Sequence, residues 1–317
     1  MSPPLVIALG GNALSPADAD PSIEAQFRRA METAREIARV FEHTRNVLLT
    51  HGNGPQIGSI VRRVELAMGE IHTLPLDVCI ADSQAGIGYM LSQCLRNEGH
   101  ATGRPMDFLP VLTTVEVDAE DPAFTNPTKP FGRYYRAEEA EALVAEYGGK
   151  AVEVKPGLWR RVAPSPEPRR ILELERIQTL VTSGVNVIAG GGGGIPVLRE
   201  ADGTHRGVEA IIDKDATSAL LAVGLGCERL IIATEAKGVA VDFGKPTQRY
   251  LKRLTVAEAQ QLQAAGTFPA GSMGPKVAAA ILFLQGTSAP APTACICALD
   301  ELAEAVAGRA GTEFVCG

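Results

Sequence analysis

Leu5-Val6-Ile7-Ala8-Leu9-Gly10-Gly11-Asn12 sets five apolar residues directly against a pair of glycines. An apolar run without polar alternation predicts a strand buried on both faces. Downstream, Ile23, Phe27, Ala30, Met31, Ala34, Ile37, Ala38 and Phe41 fall on one face at the helical period. Similar short apolar runs recur at 46–50, 185–189 and 229–234, alternating with helical patterns. This rhythm predicts an α/β protein built on a mainly parallel sheet with helices on both faces.

The remaining sequence narrows the class. A chain of 317 residues is long enough for one large sheet domain, 1–317, with an inserted part. The insertion is read at 116–168, where Pro122, Pro127, Pro130, Pro156, Pro164, Pro166 and Pro168 break the βα rhythm. Phe124, Phe131, Tyr134, Tyr135 and Trp159 give that stretch apolar mass of its own, so it reads as a projecting subdomain and not a disordered linker. A smaller insertion at 198–206 carries Asp202-Gly203, a hairpin-turn pair.

The net charge of −7, with no Lys/Arg cluster, argues against a nucleic-acid surface or a polybasic membrane patch and points to small-molecule partners. The six cysteines, at 79, 94, 227, 295, 297 and 316, form no Cys-x-x-Cys pair, and no His stands at ligand spacing. Reduced thiols and no protein metal site are expected. The N-terminus shows no basic and apolar leader, so a cytoplasmic location is expected.

In an open parallel sheet, ligands bind where the loops leave the carboxyl ends of the strands. Three glycine-rich loops hold that position: Gly10-Gly11-Asn12, His51-Gly52-Asn53-Gly54-Pro55-Gln56, and the run of five glycines 190–194. Glycine lets backbone N–H groups approach a phosphate, and a following helix N-terminus adds partial positive charge. No GxxxxGK[ST] and no GxGxxG between strand and helix is found, so any nucleotide is held in another way.

Three lysines stand out by context: Lys214 within Ile211-Ile212-Asp213-Lys214-Asp215, Lys276 after Gly271-Ser272-Met273-Gly274-Pro275, and Lys129 between Pro127 and Pro130. Phosphoryl transfer asks mainly for charge neutralisation and positioning, which lysines and backbone amides supply.

The stretches Val6 to Ala13, His51 to Gln56, Asp121-Pro122-Ala123-Phe124, Asn126 to Pro130, Gly207-Val208-Glu209-Ala210, Ile212 to Asp215, Phe243 to Pro246 and Gly271 to Lys276 occur in one order along the chain. In them the chain resembles the carbamate kinases of the amino acid kinase superfamily. The resemblance implies a three-layer αβα sandwich around a roughly eight-stranded, mostly parallel sheet, paired into homodimers. It implies an N-terminal part that holds carbamate, a part from 185 to 317 that holds ATP or ADP with Mg2+, and transfer between them.

Carried over, Gly10, Gly11 and Asn12 would bind the transferring phosphoryl group and Gly52 and Asn53 the carbamate, with Gly191 and Gly192 beside them. Lys129, Lys214 and Lys276 would neutralise the phosphates, with Asp215 holding Lys214 and Lys276. Thr234, Ala240 and Met273 would lie against the nucleotide. The chain departs from the family at Ala240, where an aromatic is usual, and at Asp82, Ala85 and Ala278. These departures leave open a sister kinase acting on another small carboxylate and a nucleotide-binding sensor without turnover.

Overall fold

The computed structural model describes residues 4–14, 22–269 and 271–317, with the side chains of Asn12 and Tyr147 outside that description. Strand β1 (Leu5–Leu9) passes through Gly10 into a single 3-10 turn (Gly11–Ala13), and α1 (Ile23–Val40) follows. Ser22 starts α1 by accepting a hydrogen bond from Ala25 N at 3.2 Å. Next come β2 (Val47–His51), α2 (Gly54–Leu66) and α3 (Leu76–Thr102). Strand β2 begins one residue later than the apolar run at 46–50 and takes in His51, which lies opposite Leu9 in the ladder.

After β3 (Phe108–Pro110) and β4 (Thr114–Val117) the βα rhythm stops. The inserted segment holds β5 (Lys129–Tyr135), α4 (Ala137–Tyr147), β6 (Lys150–Lys155) and β7 (Leu158–Ala163). Its strands form a separate antiparallel sheet in the order β5-β7-β6. Strand β8 (Pro168–Ile171) returns antiparallel onto β4, so the chain leaves and rejoins the body at adjacent strands.

The body resumes with α5 (Leu174–Thr182), β9 (Asn186–Ile188) and the hairpin β10 (Ile195–Arg199) to β11 (His205–Gly207). Asp202 and Gly203 sit in that hairpin's turn, with Gly203 at φ +87. The last third runs through α6 (Lys214–Gly224), β12 (Arg229–Thr234), β13 (Ala240–Val241), β14 (Arg249–Tyr250) and β15 (Arg253–Thr255). It ends with α7 (Val256–Ala264), α8 (Met273–Gly286), β16 (Thr293–Ala298), α9 (Leu302–Val306) and β17 (Thr312–Val315).

The main sheet has eight strands in the order β15-β17-β16-β12-β1-β2-β9-β3, and β16 with β17 is its one antiparallel pair. Successive residues of a strand point to opposite faces, and the two cores divide accordingly. Val6, Ala8, Leu48, Leu230 and Ile232 pack beneath α5 to α8, whereas Ile7, Leu9, Leu49 and Ile231 pack beneath α1, α3 and α9. The expected αβα layering follows from this division. Strand β1 is fully buried at the centre, and so the Gly10 turn opens at the middle of the carboxyl edge.

Among the described residues no helix is long and apolar enough to cross a membrane. All six cysteines are free thiols, five of them buried and Cys316 exposed.

Candidate active site

Four neighbouring strands deliver their turns to one edge: β12 ends at Thr234, β1 at Gly10-Gly11, β2 at Gly52-Asn53 and β9 at the glycine run. The turns touch. A Cβ on Gly52 would lie 3.1 Å from Gly11 Cα and 3.5 Å from Lys214 Cδ, so the Lys214 stem lies against the paired turns. Helix α2 starts at Gly54 with Pro55 in its first turn and aims its N-terminal amides at the same edge.

Helix α6 brings the charges. Lys214 is its first residue, and Asp213 caps it by accepting from Asp215 N at 2.9 Å. The buried Asp215 carboxylate takes one ammonium on each oxygen, Lys214 on Oδ1 and Lys276 on Oδ2 at 3.1 Å. Burial pushes the Asp215 carboxyl up, but the two ammonium groups and their hydrogen bonds outweigh it and hold the acid below its ordinary range. Two cations on one anion leave a net positive charge beside the turns, the condition for receiving a phosphate. Lys276 reaches this point because α8 begins at Met273 with Pro275 in its first turn. Lys129 arrives from the inserted segment, its Nζ 3.0 Å from Asp213 Oδ2.

The five glycines have a steric reason as well. A Cβ on Gly191 would stand 2.4 Å from His51 Nε2, and one on Gly192 2.2 Å from Asn53 Nδ2. The run is therefore pressed directly onto the β2 turn. Three polar residues that sequence reading passed over hold it there. Gln84 donates to Gly191 O at 2.9 Å and accepts from Thr113 N at 2.8 Å, Thr113 Oγ1 accepts from Gly190 N at 2.8 Å, and Thr217 Oγ1 donates to Gly193 O at 2.7 Å. Ser83 fixes Asn53 by accepting from its Nδ2 at 2.9 Å. Within α3, Ser83 and Gln84 are buried while the departing positions Asp82 and Ala85 are exposed. The signal available was two polar residues on an otherwise apolar helical face.

His51 is wholly buried beneath this contact. A carbonyl can only accept, so His51 Nδ1 carries the proton it gives to Gly52 O at 3.0 Å. Burial and then the nearby Lys214 charge lower its pKa to about 4, against the opposing pull of the Gly52 bond. The ring is therefore neutral at pH 7 and turned away from proton-transfer duty. The unfolded chain takes a proton near the ordinary 6.5 while the folded state resists until about 4. Stability is thus full above pH 6.5 and falls by about 3 kcal/mol as pH drops to 4. Denaturant titrations at pH 7 and 4.5 should show this slope in the natural protein and most of it gone in His51→Gln.

Thr234 shares with Gly10, Gly11, Ser272 and Lys276 a crevice of about 610 Å³. Ala240 and Met273 do not line it: Ala240 is buried opposite Tyr250 in the β13-β14 pair, and Met273 packs against the core. The Asn12 side chain lies outside the described residues, and its backbone belongs to the 3-10 turn. Ala278 is exposed on α8.

Residues 3–291 match the amino acid kinase family. The chain belongs to that family. Similar amino acid kinase relatives include a carbamate kinase of Pyrococcus furiosus, 41% identical over 98% of each chain. A carbamate kinase of Staphylococcus haemolyticus is 43% identical over 97% of this chain and 98% of its own. Among solved structures, the carbamate kinase of Giardia lamblia bound to AMP-PNP superposes with a TM-score of 0.91 at 40% identity, covering 99% of this chain and 98% of that one.

Proposed function

We infer that the chain is a carbamate kinase, moving a phosphoryl group between ATP and carbamate in either direction. Full-length identity of about 40% to several carbamate kinases favours this over a sister kinase or a sensor without turnover. The observation that carries the chemistry is the Lys214–Asp215–Lys276 group beside the joined Gly11 and Gly52 turns.

In the direction that makes ATP, a terminal β-phosphate oxygen of ADP forms a bond to the phosphorus of carbamoyl phosphate. The bond from that phosphorus to the carbamate oxygen breaks, and carbamate leaves as an anion. No proton has to move, so no general base is needed, in keeping with a neutral His51 bound to Gly52 O. What the site supplies is position and positive charge.

In this reading the amides of Gly10, Gly11 and Asn12 hold the transferring group, and Gly52, Asn53, Gly191 and Gly192 hold the carbamate end. Lys214 and Lys276 offset the charge spread over the equatorial oxygens, and Asp215 fixes their positions. Thr234 borders the nucleotide. Ala240 and Met273 lie outside the crevice that Thr234 lines, and the hairpin that carries Ala240 exposes two aromatics, Phe243 and Tyr250. Mg2+ enters as the partner of the nucleotide phosphates, its characteristic manner of binding. Among the described residues no three His, Cys, Asp or Glu side chains could hold a metal.

The segment from β5 to β7 serves as a lid that brings Lys129 over the substrates and excludes water from labile carbamate. Homodimerisation is also proposed, with exposed Tyr89, Leu109 and Leu112 near edge strand β3 as its apolar surface. The direct test is a coupled assay with MgADP and carbamoyl phosphate, scored for ATP. Steady ATP formation well above the enzyme-free rate is expected. Nucleotide binding with no turnover would establish the sensor instead.

A further inference from the structure

We infer that Asp213 couples the inserted subdomain to the phosphate-binding lysines, acting as a positioning residue with one oxygen for each task. The inference rests on the reading of Lys129, Lys214 and Lys276 given above. Oδ1 accepts from Asp215 N at 2.9 Å and Ala216 N at 3.4 Å, which caps the helix that begins with Lys214. Oδ2 accepts from Lys129 Nζ at 3.0 Å, 84 residues distant in the chain.

Capping alone does not require a charge, since Asn and Ser cap about as well as Asp. A carboxylate is needed only for the second oxygen. The same short segment makes another contact with the subdomain: Ile211 N donates to Pro164 O at 2.9 Å. Lys129 pairs with Ala163 in the β5-β7 ladder, so Lys129 and Pro164 are the subdomain's two feet on this segment, beside the packing of Phe131 and Ala163 against α2 and α3 and the bond from the Tyr135 hydroxyl to Glu65 Oε1. Residues 211–213 are their seat, and Ile212 carries the glycine run on its carbonyl, where a Gly193 Cβ would come within 2.2 Å.

The two feet differ in kind. The backbone bond of Ile211 is neutral, and its residue is buried. The Lys129–Asp213 pair is partly solvated, with side-chain exposures of 38% and 25%. A pair of that exposure is weak and screened by salt, which suits a contact that must break and re-form in each turnover. Seating the subdomain on Asp213 sets Lys129 one residue from Lys214, and an arriving phosphoryl group then competes with Asp213 for it.

Asp213→Asn separates the two tasks, because the amide oxygen still caps while the charge for Lys129 is gone. The expected result is a fall in kcat/KM for carbamoyl phosphate of about fivefold, in line with a partly exposed ion pair. The salt dependence of KM should flatten, and the same substitution in a Lys129→Met background should cost nothing further. Independently of activity, hydrogen exchange at Ile211 N–H and along β5 should quicken severalfold, with the first turn of α6 unchanged.

An equal loss in both backgrounds, or faster exchange confined to α6, would make Asp213 a cap and nothing more. If the natural protein forms no ATP but the exchange pattern holds, the proposed reaction fails while the coupling stands. Unchanged exchange at Ile211 and β5 overturns the coupling whatever the assay shows.

Discussion

Lys214→Met and Lys276→Met should each lower turnover by roughly a hundredfold or more, with a much smaller change in nucleotide affinity. Losing one preorganised charge contact to a transition state costs on the order of 3 kcal/mol, which sets that factor. Methionine keeps the aliphatic stem, so the contact of the Lys214 stem with Gly52 survives. The fold survives too, because Asp215 keeps one ammonium when the other is removed. A buried carboxylate with no cation left would be a far heavier burden.

Asp215→Asn is expected to do smaller damage of the same kind. Both lysines stay charged, but they lose the shared acceptor that fixes them, and the amide nitrogen faces one of them as a second donor. Turnover and ADP affinity measured for all three variants, with circular dichroism as the check on folding, separate the roles. Near-normal turnover in either lysine variant would remove that lysine from the site.

The edge of the sheet was readable because its signals are local. Five unbroken apolar residues before Gly10 mark a central strand, and Lys214 beside two acids or Lys276 after Pro275 can be spotted within a few residues. What holds the site together was not readable, because it is made between distant segments. Gln84 binds Gly191 across 107 residues, Thr113 binds Gly190 across 77, and Lys129 meets Asp213 across 84.

The second sheet was hidden for the same reason. Strands β4, β8, β10 and β11 form this four-stranded sheet, in the order β11-β10-β4-β8, at the margins of the segments read separately as an insertion at 116–168 and a hairpin at 198–206, and their pairing shows in neither. The Ala240 position illustrates a different limit. Family resemblance puts it near the nucleotide, but that Tyr250, ten residues on, lies across from it follows from strand pairing, which the sequence does not show.

The glycines provide the sharpest contrast, since similar residues in neighbouring turns should fail in opposite ways. Gly193 has φ +95, and a Cβ there would meet Ile212 O at 2.2 Å and Ile212 C at 2.7 Å. The obstacle is backbone, which cannot swing aside as a side chain could. A left-handed conformation costs a non-glycine residue about 1–2 kcal/mol, and overpacking adds about 1–3 kcal/mol. Gly193→Ala should therefore destabilise the protein by roughly 3–4 kcal/mol, and relief of the clash would push the segment carrying Asp213 and Lys214 away from the turns. Gly11 has no left-handed φ, and its Cβ would meet nothing within 4 Å. Gly11→Ala should leave stability within about 1 kcal/mol of the natural protein. Its methyl group would instead occupy the space a phosphoryl group needs above the turn, so turnover should fall while the fold stands. Denaturant unfolding and the carbamoyl phosphate assay, run on both variants, tell the two kinds of failure apart. A stable and active Gly193→Ala would contradict the packing described for the glycine run. A fully active Gly11→Ala would move the phosphoryl site away from the β1 turn.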